Sequence, residues 1–116
     1  MSFREHYSVL ERASKTTLED FMRDERLRND TRRAIGELLN ELYLLGSRVV
    51  DGSDEEDLIW NLAKSGFIQA PLAQELVDVI TLYRSGSDEL IYASLVRIME
   101  DIEEAYHTLK ARLEGS

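Results

Sequence analysis

Cysteine is absent from this chain, and proline occurs once, glycine six times and histidine twice in 116 residues. Without cysteine there is no disulfide scaffold, no thiolate zinc site and no cysteine nucleophile. So little proline and glycine leaves little loop, and with 32% charged residues the composition points to an all-α chain. No apolar run approaches the roughly 20 residues needed to span a bilayer. The opening Phe3-Arg4-Glu5-His6 holds no apolar core of a secretory signal, so a cytoplasmic protein is expected. Positive charge is also scarce: 14 basic side chains face 23 acidic ones, a net charge of −9 spread over both halves. Such a surface repels phosphate backbones at long range. This argues against a general nucleic-acid binder, with no DNA and no membrane partner expected. RNA could be met only through a small basic cleft. Glycine-rich phosphate loops and serine-centred nucleophile elbows are missing too.

What is present is helical periodicity. The length fits one domain, residues 1–116, able to bury roughly two-thirds of its unfolded surface without a metal or disulfide. Ser2-Phe3-Arg4-Glu5 has the spacing of a capping box, and Phe3, Tyr7, Leu10 and Ala13 follow on one face. This predicts a first helix over 3–15. Thr17 caps a short second helix over 18–23. Leu27, Thr31, Ala34, Leu38, Leu42, Leu45 and Val49 then recur every three or four residues beside a second stripe. They predict a long helix of about 26 residues, roughly 39 Å, ended by Gly52. Ser53-Asp54-Glu55-Glu56 reads as a second capping box, opening a short helix to Gly66. Another helix carries Leu72, Leu76, Val77, Ile80 and Tyr83. After Ser85-Gly86-Ser87 a last helix runs over 88–112 on Ile91, Leu95, Ile98, Ile102, Ala105 and Leu109. Short loops make successive helices neighbours, so the expected architecture is an up-and-down bundle of four main helices plus a short extra helix. Tyr43, Trp60 and Tyr106 read as packing groups.

Several polar clusters carry a chemical reading and a plainer one. Arg23, Arg26, Arg28, Arg32 and Arg33 could line a phosphate groove. Acids interleave with them, however, and Glu19 with Arg23 and Asp24 with Arg28 are spaced as i,i+4 pairs on a solvated face. Asp51, Asp54, Glu55, Glu56 and Asp57 lack the ligand spacing of a calcium loop and suit a helix start. Glu104 and His107 form one Glu-x-x-His, whereas di-iron bundles need two. Glu100, Glu103 and Glu104 have only Glu37 and Glu41 as a partial second motif for a metal-dependent nucleotide pyrophosphatase. His6 and His107 lie near opposite chain ends, so histidine catalysis is poorly supplied.

The junction Leu82-Tyr83-Arg84-Ser85-Gly86-Ser87-Asp88 carries the sharper reading. Before it come Leu18-Glu19-Asp20-Phe21-Met22-Arg23-Asp24, then Arg28-Asn29-Asp30-Thr31-Arg32-Arg33-Ala34-Ile35-Gly36-Glu37, then Leu62-Ala63-Lys64-Ser65-Gly66-Phe67-Ile68. After it come Ile91-Tyr92-Ala93-Ser94-Leu95 and Asp101-Ile102-Glu103-Glu104. In this order, over residues 18–113, the chain resembles the HepT-like family of the HEPN superfamily. The resemblance implies a HEPN-like helical fold, a homodimer, no cofactor, and pairing with a minimal nucleotidyltransferase in a toxin–antitoxin arrangement. In toxin members an R-x(4–6)-H motif cleaves RNA without metal. There the histidine moves a proton and the arginine holds the phosphate.

Here Arg84 occupies the arginine position as the one candidate catalytic residue, a remnant of the motif. Ser85 replaces the family's asparagine, no histidine follows, and Tyr92, eight residues after Arg84, is not the motif tyrosine. The expectation is therefore a catalytically degenerate member, with Arg84 meeting helix C-terminal carbonyls. The alternatives are a non-enzymatic helical dimerisation module, an active ribonuclease using His6 or His107, and the pyrophosphatase-like bundle.

Overall fold

The computed structural model of the chain describes residues 2–115; the first and last residues of the expected domain lie outside the described residues. Among the described residues the chain forms seven α-helices and no strand. They are α1 (Phe3–Ser14), α2 (Leu18–Arg23), α3 (Glu25–Gly46), α4 (Glu55–Lys64), α5 (Ala70–Ser85), α6 (Asp88–Ala93) and α7 (Leu95–Glu114). No helix among them is long and apolar enough to cross a membrane.

The local start signals act as the sequence implies. Ser2 accepts from Glu5 N at 3.3 Å, Thr17 from Asp20 N at 3.1 Å, and Ser87 from Leu90 N at 3.2 Å. Each bond satisfies one of the amide groups that a helix start leaves without an intrahelical partner. Asp24 does the same for α3, accepting from Leu27 N at 2.9 Å, so it caps instead of pairing with Arg28. At α4 the cap is Asp54, one residue later than expected, and Asp57 accepts from Ser53 N at 2.9 Å.

The apolar stripes become the core. Leu10, Leu38, Leu42, Leu62, Ile102 and Ala105 have no exposed surface. Burying a side chain of leucine size contributes about 1.5–3 kcal/mol. The four long helices α1, α3, α5 and α7 are neighbours, with α4 against α3 and α5. Helix α7 runs back along α5: Arg112 reaches Gly66 O at one end, and Leu82 and Ser94 share a cavity at the other. It also runs back along α1, where Phe3 stacks on Tyr106 with ring centroids 3.8 Å apart. The whole measures 44 × 25 × 20 Å.

Two expectations fail. Helix α3 spans 22 residues and stops at Gly46, not near Gly52. Leu62 of α4 packs so closely there that a Cβ on Gly46 would lie 3.0 Å from it. The chain tightens through Arg48 N to Leu45 O and Val49 N to Gly46 O, and turns away. Gly66, at φ +80°, is the one described residue with positive φ. It ends α4 with Gly66 N bonded to Ala63 O and Phe67 N to Leu62 O, the paired bonds of a Schellman stop. The last helix is also not continuous: it breaks at Ser94 into α6 and α7. Helix α6 packs against α2, where Tyr92 lies 5.2 Å from Phe21 and donates to Thr16 O. Helix α7 instead follows the long axes of α1 and α5, and one straight helix cannot meet both demands.

Candidate functional site

Helix α5 ends at the junction that the sequence singles out. Gly86 is extended there, at φ −77° and ψ 151°, and its N–H bonds to Leu82 O. A Cβ at Gly86 would lie 2.7 Å from Leu82 O, so glycine is required by proximity. The last turn leaves carbonyls without intrahelical partners. Arg32 supplies them: it donates to Tyr83 O at 2.8 Å and Gly86 O at 3.1 Å. The same guanidinium reaches Asp88 Oδ1 at 2.9 Å, and Arg28 Nε lies 3.5 Å from Asp88 Oδ2. Arg28 also donates to Met22 O at the end of α2. Asp88 occupies the first turn of α6, where a negative charge meets the helix dipole favourably.

Arg84 points elsewhere. Its Nη2 lies 2.8 Å from Glu55 Oε2 and its Nη1 3.4 Å from Glu56 Oε1, in the first turn of α4. This corrects the expected contact with C-terminal carbonyls, because Arg32 from the adjoining helix already occupies them. The side chain stays 49% exposed. Beside it the Tyr43 hydroxyl is held protonated far above its ordinary range, by burial first and by Glu55 second. Tyr83 lies against the backbone of α3 at Gly36, where a Cβ would come within 2.8 Å of its ring. The junction thus holds three arginines, Arg28, Arg32 and Arg84, and three carboxylates, Asp88, Glu55 and Glu56. It has no surplus of positive charge for a phosphate.

The structure does not bring a histidine to Arg84. His6 lies between α1 and α3 with Val9, Arg12, Asp30, Arg33 and Ala34. Arg32 and Gly36 face α5 from a different side of α3, so α3 stands between His6 and Tyr83. His107 is exposed on α7, 3.9 Å from Glu103. It lies one to two turns from Arg112, which contacts Gly66 before α5 begins, whereas Arg84 is at the far end of α5. That helix is about 24 Å long at 1.5 Å per residue.

The other clusters resolve as local structure. Arg23 pairs with Glu19 at 2.6 Å on an exposed face, as expected. Arg28 and Arg32 do not belong to a solvated, self-neutralised face; they clamp helix ends. Of the acids from Asp51 to Asp57, Asp54 and Asp57 bond the start of α4, Glu55 and Glu56 pair with Arg84, and Asn61 donates to the Asp51 backbone O at 2.7 Å. Among the described residues, no group of three or more His, Asp or Glu is placed to hold a metal ion.

One pair escaped the sequence reading. Asp101 on α7 is only 5% exposed, and its Oδ2 has no hydrogen-bond partner. Burial, and then the neighbouring Glu75 carboxyl of α5, raise Asp101 from 3.8 to about 7. Glu75 moves the other way, lowered by its interaction with Asp101 and by Arg97, whose Nη2 lies 3.2 Å away. The signal was present: Asp101 follows Ile98 by three and precedes Ala105 by four, so a carboxyl sits on the core stripe of α7.

Comparison of the chain with protein-family models, curated proteins and solved structures finds no match.

Proposed function

We propose that this chain is a HepT-like, HEPN-type helical module that keeps an arginine at the motif position, does not cleave RNA, and acts through protein contacts. The observation that carries this reading is the double ion pair of Arg84 with Glu55 and Glu56, at 2.8 and 3.4 Å. A scissile phosphate would have to displace two carboxylates that repel it. The neighbouring Arg28 and Arg32 are engaged by Asp88 and by backbone carbonyls. Proton transfer to or from a ribose oxygen requires a base within hydrogen-bond reach. The hydroxyl next to it in the chain, Ser85 Oγ, donates to Thr81 O at 3.0 Å, and the Tyr43 hydroxyl is held protonated.

Protein contact is supported by four large apolar side chains left in solvent: Leu18, Leu44, Leu90 and Val96. Leu18 and Leu90 sit on α2 and α6, the two short helices that pack together. The partners in this reading are a second copy of the chain and a minimal nucleotidyltransferase in the cytoplasm. The test incubates purified protein with unstructured RNA and, separately, weighs it by light scattering. No cleavage and a dimer mass are expected. Cleavage that disappears in Arg84→Ala would overturn the catalytic part of the reading, and a strict monomer would overturn the dimer.

A further inference from the structure

A carboxyl pair bridges α5 and α7 at the edge of a cavity of about 60 Å³, lined by Glu75, Asp78, Val79, Leu82, Ser94, Arg97, Ile98 and Asp101. Glu75 approaches from α5 and Asp101 from α7, so that both carboxyl groups line the same small space, with Asp101 buried in it. Two ionised carboxylates brought together there would repel, because neither has a proton to donate to the other. The unpartnered Asp101 Oδ2 points the same way. An ionised oxygen shut away from both water and donors costs far more than the carbonyl oxygen of a neutral acid.

We propose that Asp101 and Glu75 hold one proton between them, so that the α5–α7 contact is a latch closed by that proton and loosened when it leaves.

The surrounding charges support this assignment. Arg97, on α7, bonds Glu75 and favours its ionised form, leaving the proton to Asp101. Glu104, one turn further along α7, opposes ionisation of Asp101. From α5, Asp78 adds a third carboxyl to the lining, hydrogen-bonded to Gln74. Helices α1 and α3 also pack on α7 but contribute no residue to this cavity; the charges on the α1 side, Arg4 and Glu103, pair with each other. When the proton leaves, two carboxylates face each other beside Val79, Leu82 and Ile98, with one cation to serve them. Glu75 already reaches solvent, so relief comes as water gains access to the buried Asp101 between the helices.

The direction with pH follows from linkage. Asp101 binds its proton more tightly folded than unfolded, so its contribution is fully present below about 3.8 and is lost as pH rises toward about 7. Glu75 is shifted down and acts in the opposite sense, at more acidic pH. Thermal unfolding of the full chain and of Asp101→Asn is therefore compared from pH 5 to pH 8. Relative to the variant, the wild-type chain is expected to lose several degrees over that range and to level off above it. A gap that stays constant with pH overturns the proposal.

Should Asp101→Asn fail to fold, the Asp101 carboxyl carbon is followed by NMR in the wild-type chain and in Glu75→Gln. A wild-type midpoint near neutrality that drops in Glu75→Gln supports the shared proton. An ordinary midpoint near 4, or one indifferent to Glu75, overturns it. Amide exchange reads the latch itself. After correction for intrinsic rates, residues 79–82 and 98–102 should open at least about tenfold more at pH 8 than at pH 5, relative to α1. Uniform change across the chain overturns the local opening.

Discussion

Replacing Arg32 with alanine removes three contacts in one step: the bonds to Tyr83 O and Gly86 O, and the ion pair with Asp88. A hydrogen bond to a charged group contributes about 1.5–3 kcal/mol. The three do not add, because one guanidinium makes them all and its side chain is 34% exposed. Water replaces part of what is lost at both carbonyls, and Asp88 keeps Arg28. A net loss of about 2–3 kcal/mol follows, or roughly 8–15 °C in Tm for a domain of this size. Urea unfolding followed by helical circular dichroism measures it, with the midpoint falling and the slope unchanged. Arg32→Lys separates charge from shape. It keeps an attraction to Asp88 but lacks the planar fork that spans two carbonyls and a carboxylate, so it should recover less than half of the loss. An alanine variant within about 0.5 kcal/mol of the wild type would refute the clamp. A lysine variant of full stability would reduce it to plain charge.

Three further substitutions test other parts of the structure. Arg84→Ala should lose no more than about 1 kcal/mol, and less in high salt, because its pairs are solvent-exposed; a salt-independent loss above about 2 kcal/mol would contradict that geometry. Gly66→Ala should lose about 1–2 kcal/mol from backbone conformation alone, since a Cβ there meets nothing within 4 Å; full stability in chemical unfolding would argue against the Schellman stop. Thr31→Val should be neutral or stabilising by up to about 1 kcal/mol, as it removes a fully buried hydroxyl with no partner; a clear loss of thermal stability would mean that the hydroxyl is bonded.

The helices were legible because their signals are local. Ser2, Thr17 and Ser87 each cap an amide three residues away, and the stripes that bury Leu38, Leu42 and Ile102 repeat within one or two turns. The end of α3 was not, since it is set by Leu62 arriving from another helix. Nor was the break at Ser94, where two packing directions compete. At the junction, Arg84 and the missing histidine could be read directly. That Arg32, 51 residues before Tyr83, takes the carbonyls and leaves Arg84 to Glu55 and Glu56 could not.

Taken alone, the sequence determined the helical class, most helix starts, the core stripes, the acidic surface and the lack of a histidine following Arg84 in the chain. Each of these depends on residue type or on neighbours within a turn. Tertiary structure decided which arginine clamps the junction, which carboxylates neutralise Arg84, and that Asp101 is buried beside Glu75 between two helices. Those outcomes depend on which groups become neighbours across helices and how much water remains between them. Charge and hydrogen-bond energies change severalfold with that burial, and no local spacing encodes it.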